Sequence, residues 1–283
     1  MKIFVTGATG FIGSNFVQMA LSDNHEVIGL KRHKNSLPRI RLLKEPIWNE
    51  KSLDQLVEND FDGVDVFVHL AAHSMTPPYD TLENCMYWNV IAPLKAFNVA
   101  LKAGVKKFVV TGSCFEYGDT GMEYNFIPIN VDLKPNNTYA ASKAAASVCF
   151  YQFCREFNLN LFYNRLFHVY GHGEDKSRLW PSLKEAALNG SDFKMTLGQQ
   201  LRDFIHVDLV CKELLNQCKE KLTTEIIYRN LGTGNPQSIL DFSKFWWNTW
   251  EAKGRLLVGE IPYRNNEIMS YVPKVETVIY HGN

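Results

Sequence analysis

Tyr139 and Lys143 stand four residues apart at the head of TYAASKAAASVCFYQF, a stretch that reads as a helix from about Thr138 to Phe157. Residues at that spacing share one helical face. A phenol ionises near pH 10 and is a poor proton donor or acceptor at neutral pH, but an ammonium one turn away favours the phenolate and brings it toward a working range. Asn136 and Asn137, just before the pair, form the turn and cap that start this helix. A Tyr and a Lys at this spacing are also a common surface pair, so their meaning depends on what else the chain carries.

The N-terminal stretch KIFVTGATGFIGSNFVQMAL places Gly7, Gly10 and Gly13 after a predicted strand and at the mouth of a helix that opens with Phe11 and Ile12. The first glycine permits a tight turn, the second lets backbone approach a pyrophosphate, and the third allows close packing of helix on strand. The free N–H groups at the helix start then face the phosphates. The second strand, EVIGL, ends where a carboxylate would bind the adenosine ribose of NAD. Lys31, Arg32, His33 and Lys34 follow it instead. Cations there suit a ribose 2′-phosphate, so NADP(H) is the expected cofactor and NAD(H) the alternative; solvated loop charges are the plain reading of the same run.

Short β-rich runs (KIFVT, EVIGL, DVFVH, KFVVTG, LNLFYNRL) alternate with helical patterns, which means βαβ units and a parallel sheet. The expected fold is α/β, a Rossmann-type doubly wound parallel sheet with a smaller α/β substrate-binding lobe. Residues 1–165 and about 203–235 form the dinucleotide-binding part, about 166–202 and 236–283 the lobe. The helix from about Glu83 to Ala103 contains Pro93, which predicts a kink or break there. Trp246, Trp247 and Trp250 recur at helical spacing and read as packing of the lobe.

Among 283 residues, 30 basic side chains balance 30 acidic ones, so no global field favours nucleic acid or an anionic membrane. Six cysteines without CxxC spacing suggest neither a zinc site nor a disulfide framework, and no metal is expected. His69 and His206, in apolar strand-like settings, read as structural histidines. The N-terminus shows no apolar stretch of signal-peptide or membrane length, and the expected location is cytoplasmic.

Across nearly its whole length the sequence resembles the extended short-chain dehydrogenases/reductases that act as nucleotide-sugar epimerases, dehydratases and reductases. The resemblance rests on TGATGFIG (6–13), HLAA (69–72), Asn89, TGSCFEYG (111–118), YAASK (139–143), NRLFHVYG (164–171), RDFIHVD (202–208) and RNNE (264–267). It implies that Ser113 orients the reacting oxygen, that Tyr139 is the general acid/base, and that Lys143 binds the nicotinamide ribose and tunes the tyrosine. By the same resemblance Leu70, Ala71, Ala72, Asn89, Thr111 and Leu166 belong to the dinucleotide site. Arg202 and Arg264 resemble the residues that grip a substrate diphosphate, and His168 stands where relatives carry Asn beside the sugar nucleotide. His73, just beyond HLAA, is expected to face the sugar pocket. Dimers through the two long helices are usual in the family, which implies a homodimer.

Dehydratases of this group carry Asp and Glu directly after the catalytic Ser/Thr; here Cys114 and Phe115 occupy those positions, which argues against a 4,6-dehydratase. Cys114 has no apparent base partner and reads as a small packed side chain. With the basic run after EVIGL, the expected reaction is NADPH-dependent reduction of a nucleotide-linked 4-keto-6-deoxy sugar, CDP, dTDP or GDP being the carriers suggested by resemblance. The alternative is an NAD-dependent nucleotide-sugar 4-epimerase, and a third reading is a non-catalytic dinucleotide-binding protein. The chain stops soon after YVP, where relatives continue, so the sugar lobe is expected to be shortened or built differently.

Overall fold

The computed structural model describes residues 1–265 and 267–280. Eight strands form its main sheet: β1 (Lys2–Thr6), β2 (Glu26–Lys31), β3 (Ile47–Glu50), β4 (Val66–His69), β5 (Lys107–Ser113), β6 (Asn160–Leu166), β7 (Ile226–Leu231) and β8 (Thr277–Tyr280). Their order is β8-β7-β6-β5-β4-β1-β2-β3. Every pairing is parallel except β7 with β8. The chain runs outward from β1 to β3, then returns through β4 and proceeds the other way. A crevice therefore opens between the carboxyl ends of β1 and β4, the switch point at which such sheets bind ligands.

A parallel sheet must be covered on both faces, and its central strands β1, β4 and β5 are accordingly buried almost throughout. On one face Phe4, Phe67, Phe97, Phe108 and Phe150 pack together; on the other Val5, Phe16, Val109, Phe162 and Leu214 do the same. Fully burying each such side chain contributes ~1.5–3 kcal/mol. The covering helices are α1 (Phe11–Ser22) and α6 (Val207–Lys219) on the second face, with α3 (Ala92–Lys102) and α4 (Thr138–Glu156) on the first. Asn137 caps α4, its side chain accepting from the Ala140 N–H at 2.9 Å.

The predicted irregularity near Pro93 takes a definite form. A short helix α2 (Leu82–Met86) widens into one π turn, Tyr87–Ile91, and α3 resumes with Pro93 in its first turn. Pro93 has no N–H to donate into the preceding turn, and the shift in hydrogen bonding accommodates it.

The smaller lobe is built from α5 (Leu179–Asn189), α7 (Ile239–Thr249) and short ribbons. Leu201–Arg202 lies between Gln237–Ser238 and Ser270–Tyr271, and His168–Tyr170 pairs with Phe204–His206. Trp246 and Trp250 stack at 5.2 Å, and Trp247 is buried against Leu183. Residues 236–283 read as lobe in the sequence, yet Thr277–Tyr280 crosses back to form the antiparallel edge β8. All six cysteines are free thiols. Among the described residues no helix is long and apolar enough to cross a membrane, and no cluster of three His, Cys, Asp or Glu side chains is set to hold a metal ion.

Candidate active site

The turn after β1 sits against the turn after β4 without room for side chains. Gly7 has φ +68°, and a Cβ there would lie 2.7 Å from the Ala71 N. A Cβ on Gly13 would lie 1.9 Å from the Gly7 carbonyl oxygen. Gly10 precedes α1 without a capping side chain, so the first N–H groups of that helix stay open to an anion. Gly7, Gly10, Phe11, Ile12 and Gly13 line one wall of a cleft of about 420 Å³; Leu70, Ala71, Ala72, His73, Met75 and Trp88 line the other. This glycine cradle fits a dinucleotide pyrophosphate. Gly13→Ala should force α1 off the turn, costing about 1–3 kcal/mol of stability and weakening dinucleotide binding ~10–100-fold. Titration of the dinucleotide against tryptophan fluorescence checks the second effect; wild-type affinity would contradict it.

At the far end of the cleft stand Leu30, Arg32, His33, Ser36, Lys51 and Leu53, and no Asp or Glu is among its lining residues. The Arg32 guanidinium lies over the Trp88 ring, 5.1 Å from its centre. Lys31, expected beside it, points elsewhere: its ammonium is 2.9 Å from Glu50, its register partner on β3, and donates to Lys34 O at 3.2 Å. Lys31 is the last residue of β2 and is held against β3, so Arg32, in the bend that follows, is the one of the two that lines the cleft.

Asn89, expected at the dinucleotide, has partners within the protein. Buried in the π turn, it donates from Nδ2 to His73 O at 3.1 Å and Ser142 Oγ at 2.9 Å, and its Oδ1 accepts from the His73 N–H at 2.7 Å. Its work is to pin the turn after β4 onto α4.

Ser113 ends β5 beside Leu166, its register partner at the end of β6. The Ser113 Oγ accepts from the Phe115 N–H at 3.2 Å, starting the single turn Cys114–Tyr117. Tyr139, in the first turn of α4, is buried, hydrogen-bonded with Ser113, edge-on to Phe115 and parallel to Tyr79 at 6.3 Å. Lys143, one turn on, donates to Thr111 O at 2.7 Å. Burial raises the Tyr139 phenol well above its ordinary value, and the Ser113 hydrogen bond only partly opposes this. The expected ammonium-driven lowering is not what this arrangement produces: burial outweighs the other influences, and the phenol is held neutral. Burial pushes the Lys143 ammonium down to about 8, against the raising influence of Glu116.

A group with a depressed pKa keeps its proton below that value and loses it above. If the Lys143 ammonium is required, kcat/KM should fall on the alkaline side through about pH 8 and be ~10-fold lower at pH 9 than at pH 7. A kcat/KM profile flat over that range would contradict this.

On the substrate side, the His168 Nδ1 is buried without a partner among the described residues. Burial first, then the charges of Arg202 and Arg178, push its pKa down to about 3, so the ring is neutral. The Arg202 guanidinium is held by Leu201 O at 2.8 Å and Ile268 O at 2.7 Å, with Glu267 at 3.6 Å. His73 lines the cleft but its Nε2 is engaged by Asp80 at 2.7 Å. Arg264 is exposed on the loop before Glu267, away from the cleft wall.

Sequence reasoning missed Trp88, whose only signal was its place one residue before Asn89, and Asp203, whose carboxylate accepts from the Thr233 and Gly234 N–H groups and ties the Arg202 strand to the end of β7. Glu116 is not among the residues lining the cleft and lies in a buried network. His69 is neutral, pushed down to about 3 by burial, with Nδ1 2.7 Å from Thr6 Oγ1; His206 caps α6. The Cys114 thiol is packed with Tyr117, Ile127, Phe167 and Tyr271 and pushed up to about 12 by burial, which leaves no thiolate at neutral pH.

A doubly wound sheet with a glycine turn at its switch point, and Ser, Tyr and Lys gathered at its carboxyl edge, defines an NAD(P)-dependent oxidoreductase of the extended short-chain dehydrogenase/reductase type. The sequence matches the NAD dependent epimerase/dehydratase family over residues 3–221, and the chain belongs to it. It is 25% identical to the CDP-abequose synthase of Salmonella muenchen over 273 residues, 95% of this chain and 87% of that one. It is 28% identical to the UDP-glucose 4-epimerase of Corynebacterium glutamicum over 263 residues, 84% of this chain and 77% of that one. The fold is shared with the UDP-glucose 4-epimerase of Thermotoga maritima, with a TM-score of 0.85 at 23% identity, covering 97% of this chain and 90% of the other.

Proposed function

We propose that the protein reduces the keto group of a nucleotide-linked 4-keto-6-deoxy sugar, with NADPH as the reductant. The observation that carries this reading is the buried, neutral Tyr139 phenol hydrogen-bonded with Ser113 and flanked by Cys114 and Phe115, neither of which can shuttle protons for an elimination. Such a site can give one proton to one oxygen. A bound nicotinamide supplies the hydride. The Ser113 hydroxyl holds the ketone oxygen, and Tyr139 gives up its proton as that oxygen gains charge. Lys143 has three donors and uses one on Thr111 O, which leaves the others for ribose hydroxyls.

The cofactor choice is supported by Arg32 and by the lack of a carboxylate lining the cleft. A planar guanidinium stacked on Trp88 suits a 2′-phosphate. Arg32→Ala should raise KM for NADPH ~10–100-fold, the loss of charge-assisted hydrogen bonds being about 1.5–3 kcal/mol, and leave KM for NADH within about twofold. Equal effects on both dinucleotides would remove Arg32 from phosphate recognition.

For the substrate, the Arg202 guanidinium, with the neutral and unpartnered His168 ring near it, suits a sugar diphosphate, and the similarity to a CDP-abequose synthase favours CDP as carrier. The test is a set of CDP-, dTDP- and GDP-linked 4-keto-6-deoxyhexoses incubated with NADPH; one should be consumed mole for mole with the dinucleotide. A 4-epimerase is the second reading, favoured by the similarity to UDP-glucose 4-epimerases. Purified protein that retains NAD and interconverts UDP-hexoses without net dinucleotide consumption would establish it in place of the first.

A further inference from the structure

Glu116 has no exposure to solvent. A carboxylate taken out of water costs several kcal/mol unless it is paired and its lone pairs are filled. Its Oε1 accepts from the Ser113 N–H at 2.8 Å and from the Tyr163 hydroxyl at 2.8 Å, and its Oε2 accepts from Arg165 Nε at 2.8 Å. The same Tyr163 hydroxyl lies 3.3 Å from the backbone carbonyl of Lys143. The hydroxyl has one proton, which the nearer carboxylate takes, so Glu116 is bonded to the end of β5, where Ser113 sits, and to a Tyr163 ring that lies against the helix carrying Tyr139 and Lys143. The approach depends on Gly112: a Cβ there would lie 2.4 Å from Glu116 Oε1 and 2.7 Å from the Tyr163 hydroxyl. Arg165 is fixed in turn by Ile129 O at 2.8 Å and lies over the Tyr117 and Tyr228 rings.

We infer that Glu116 is a positioning residue for the reaction: by holding the Ser113 backbone directly, and by fixing the Tyr163 ring that lies against the Lys143 turn of α4, it sets the Ser113 hydroxyl against the Tyr139 phenol on one substrate oxygen. The inference rests on the assignment of Ser113, Tyr139 and Lys143 proposed above. Displacements of about 1 Å at such a constellation lower turnover ~10²-fold, whereas a pair that served stability alone would leave turnover per folded molecule unchanged.

Two variants separate these cases. Glu116→Gln keeps the size and one acceptor; the double variant Glu116→Met with Arg165→Met removes both charges and leaves neither stranded. NADPH consumption with a CDP-linked 4-keto-6-deoxyhexose is compared with wild type and Tyr139→Phe, and NADPH affinity is read from tryptophan fluorescence. The expected result is a kcat at least ~10-fold lower in both Glu116 variants, with KM for the sugar nucleotide and NADPH affinity within about twofold. A kcat within about twofold of wild type, with Tyr139→Phe inactive, overturns the role of Glu116 alone. Loss of NADPH binding in step with kcat in both variants marks the carboxylate as a fold element and also overturns it. An active Tyr139→Phe overturns the underlying assignment first.

Discussion

Tyr139→Phe is expected to lower kcat by roughly 10²–10⁴-fold while leaving dinucleotide affinity within about twofold. The substitution removes one hydroxyl and nothing else that the surroundings use. The ring keeps its parallel contact with Tyr79 and its edge contact with Phe115. Its hydroxyl is hydrogen-bonded with Ser113, whose Oγ remains anchored by the Phe115 N–H. The glycine cradle and Arg32 are untouched, so binding is preserved by construction. What disappears is the one proton donor at the oxygen that Ser113 holds, and a loss confined to kcat is the signature of an interaction made in the transition state. Single-turnover oxidation of NADPH measures the effect without interference from product release. Turnover equal to wild type would remove Tyr139 from the chemistry.

The parts of this site that were legible in the sequence are those fixed by local backbone geometry. Gly7, Gly10 and Gly13 announce a turn that admits no Cβ, and the coordinates show the clash each of Gly7 and Gly13 avoids. Tyr139 and Lys143 share a face because helices repeat, and Asn137 caps that helix because its short side chain reaches back to an N–H. What was not legible depends on partners far along the chain. Lys31 reads as a ligand of a phosphate until Glu50 is found opposite it, on a four-residue strand too short to show a pattern. The bonds of the Asn89 amide to His73 and Ser142 are likewise invisible in the sequence around Asn89. The phenol was expected to be lowered by its neighbouring ammonium; burial, which no spacing rule reports, raises it instead. Glu116 and Arg165 lie 49 residues apart, and only the sheet brings them together.

That separation gives the second large effect. Arg165→Met should destabilise the fold by about 3–5 kcal/mol, because it leaves the Glu116 carboxylate buried without its counter-charge. Methionine fills much of the guanidinium's volume, so lost packing is the smaller part of the change. The double variant with Glu116→Met should regain most of that loss, since two apolar side chains in a dry site need no pairing. Urea unfolding of wild type, Arg165→Met and the double variant distinguishes charge from packing. A double variant no more stable than Arg165→Met would mean that Arg165 acts through its contacts with Tyr117 and Tyr228 rather than through Glu116, and would weaken the case that this buried pair is what holds Ser113 in place.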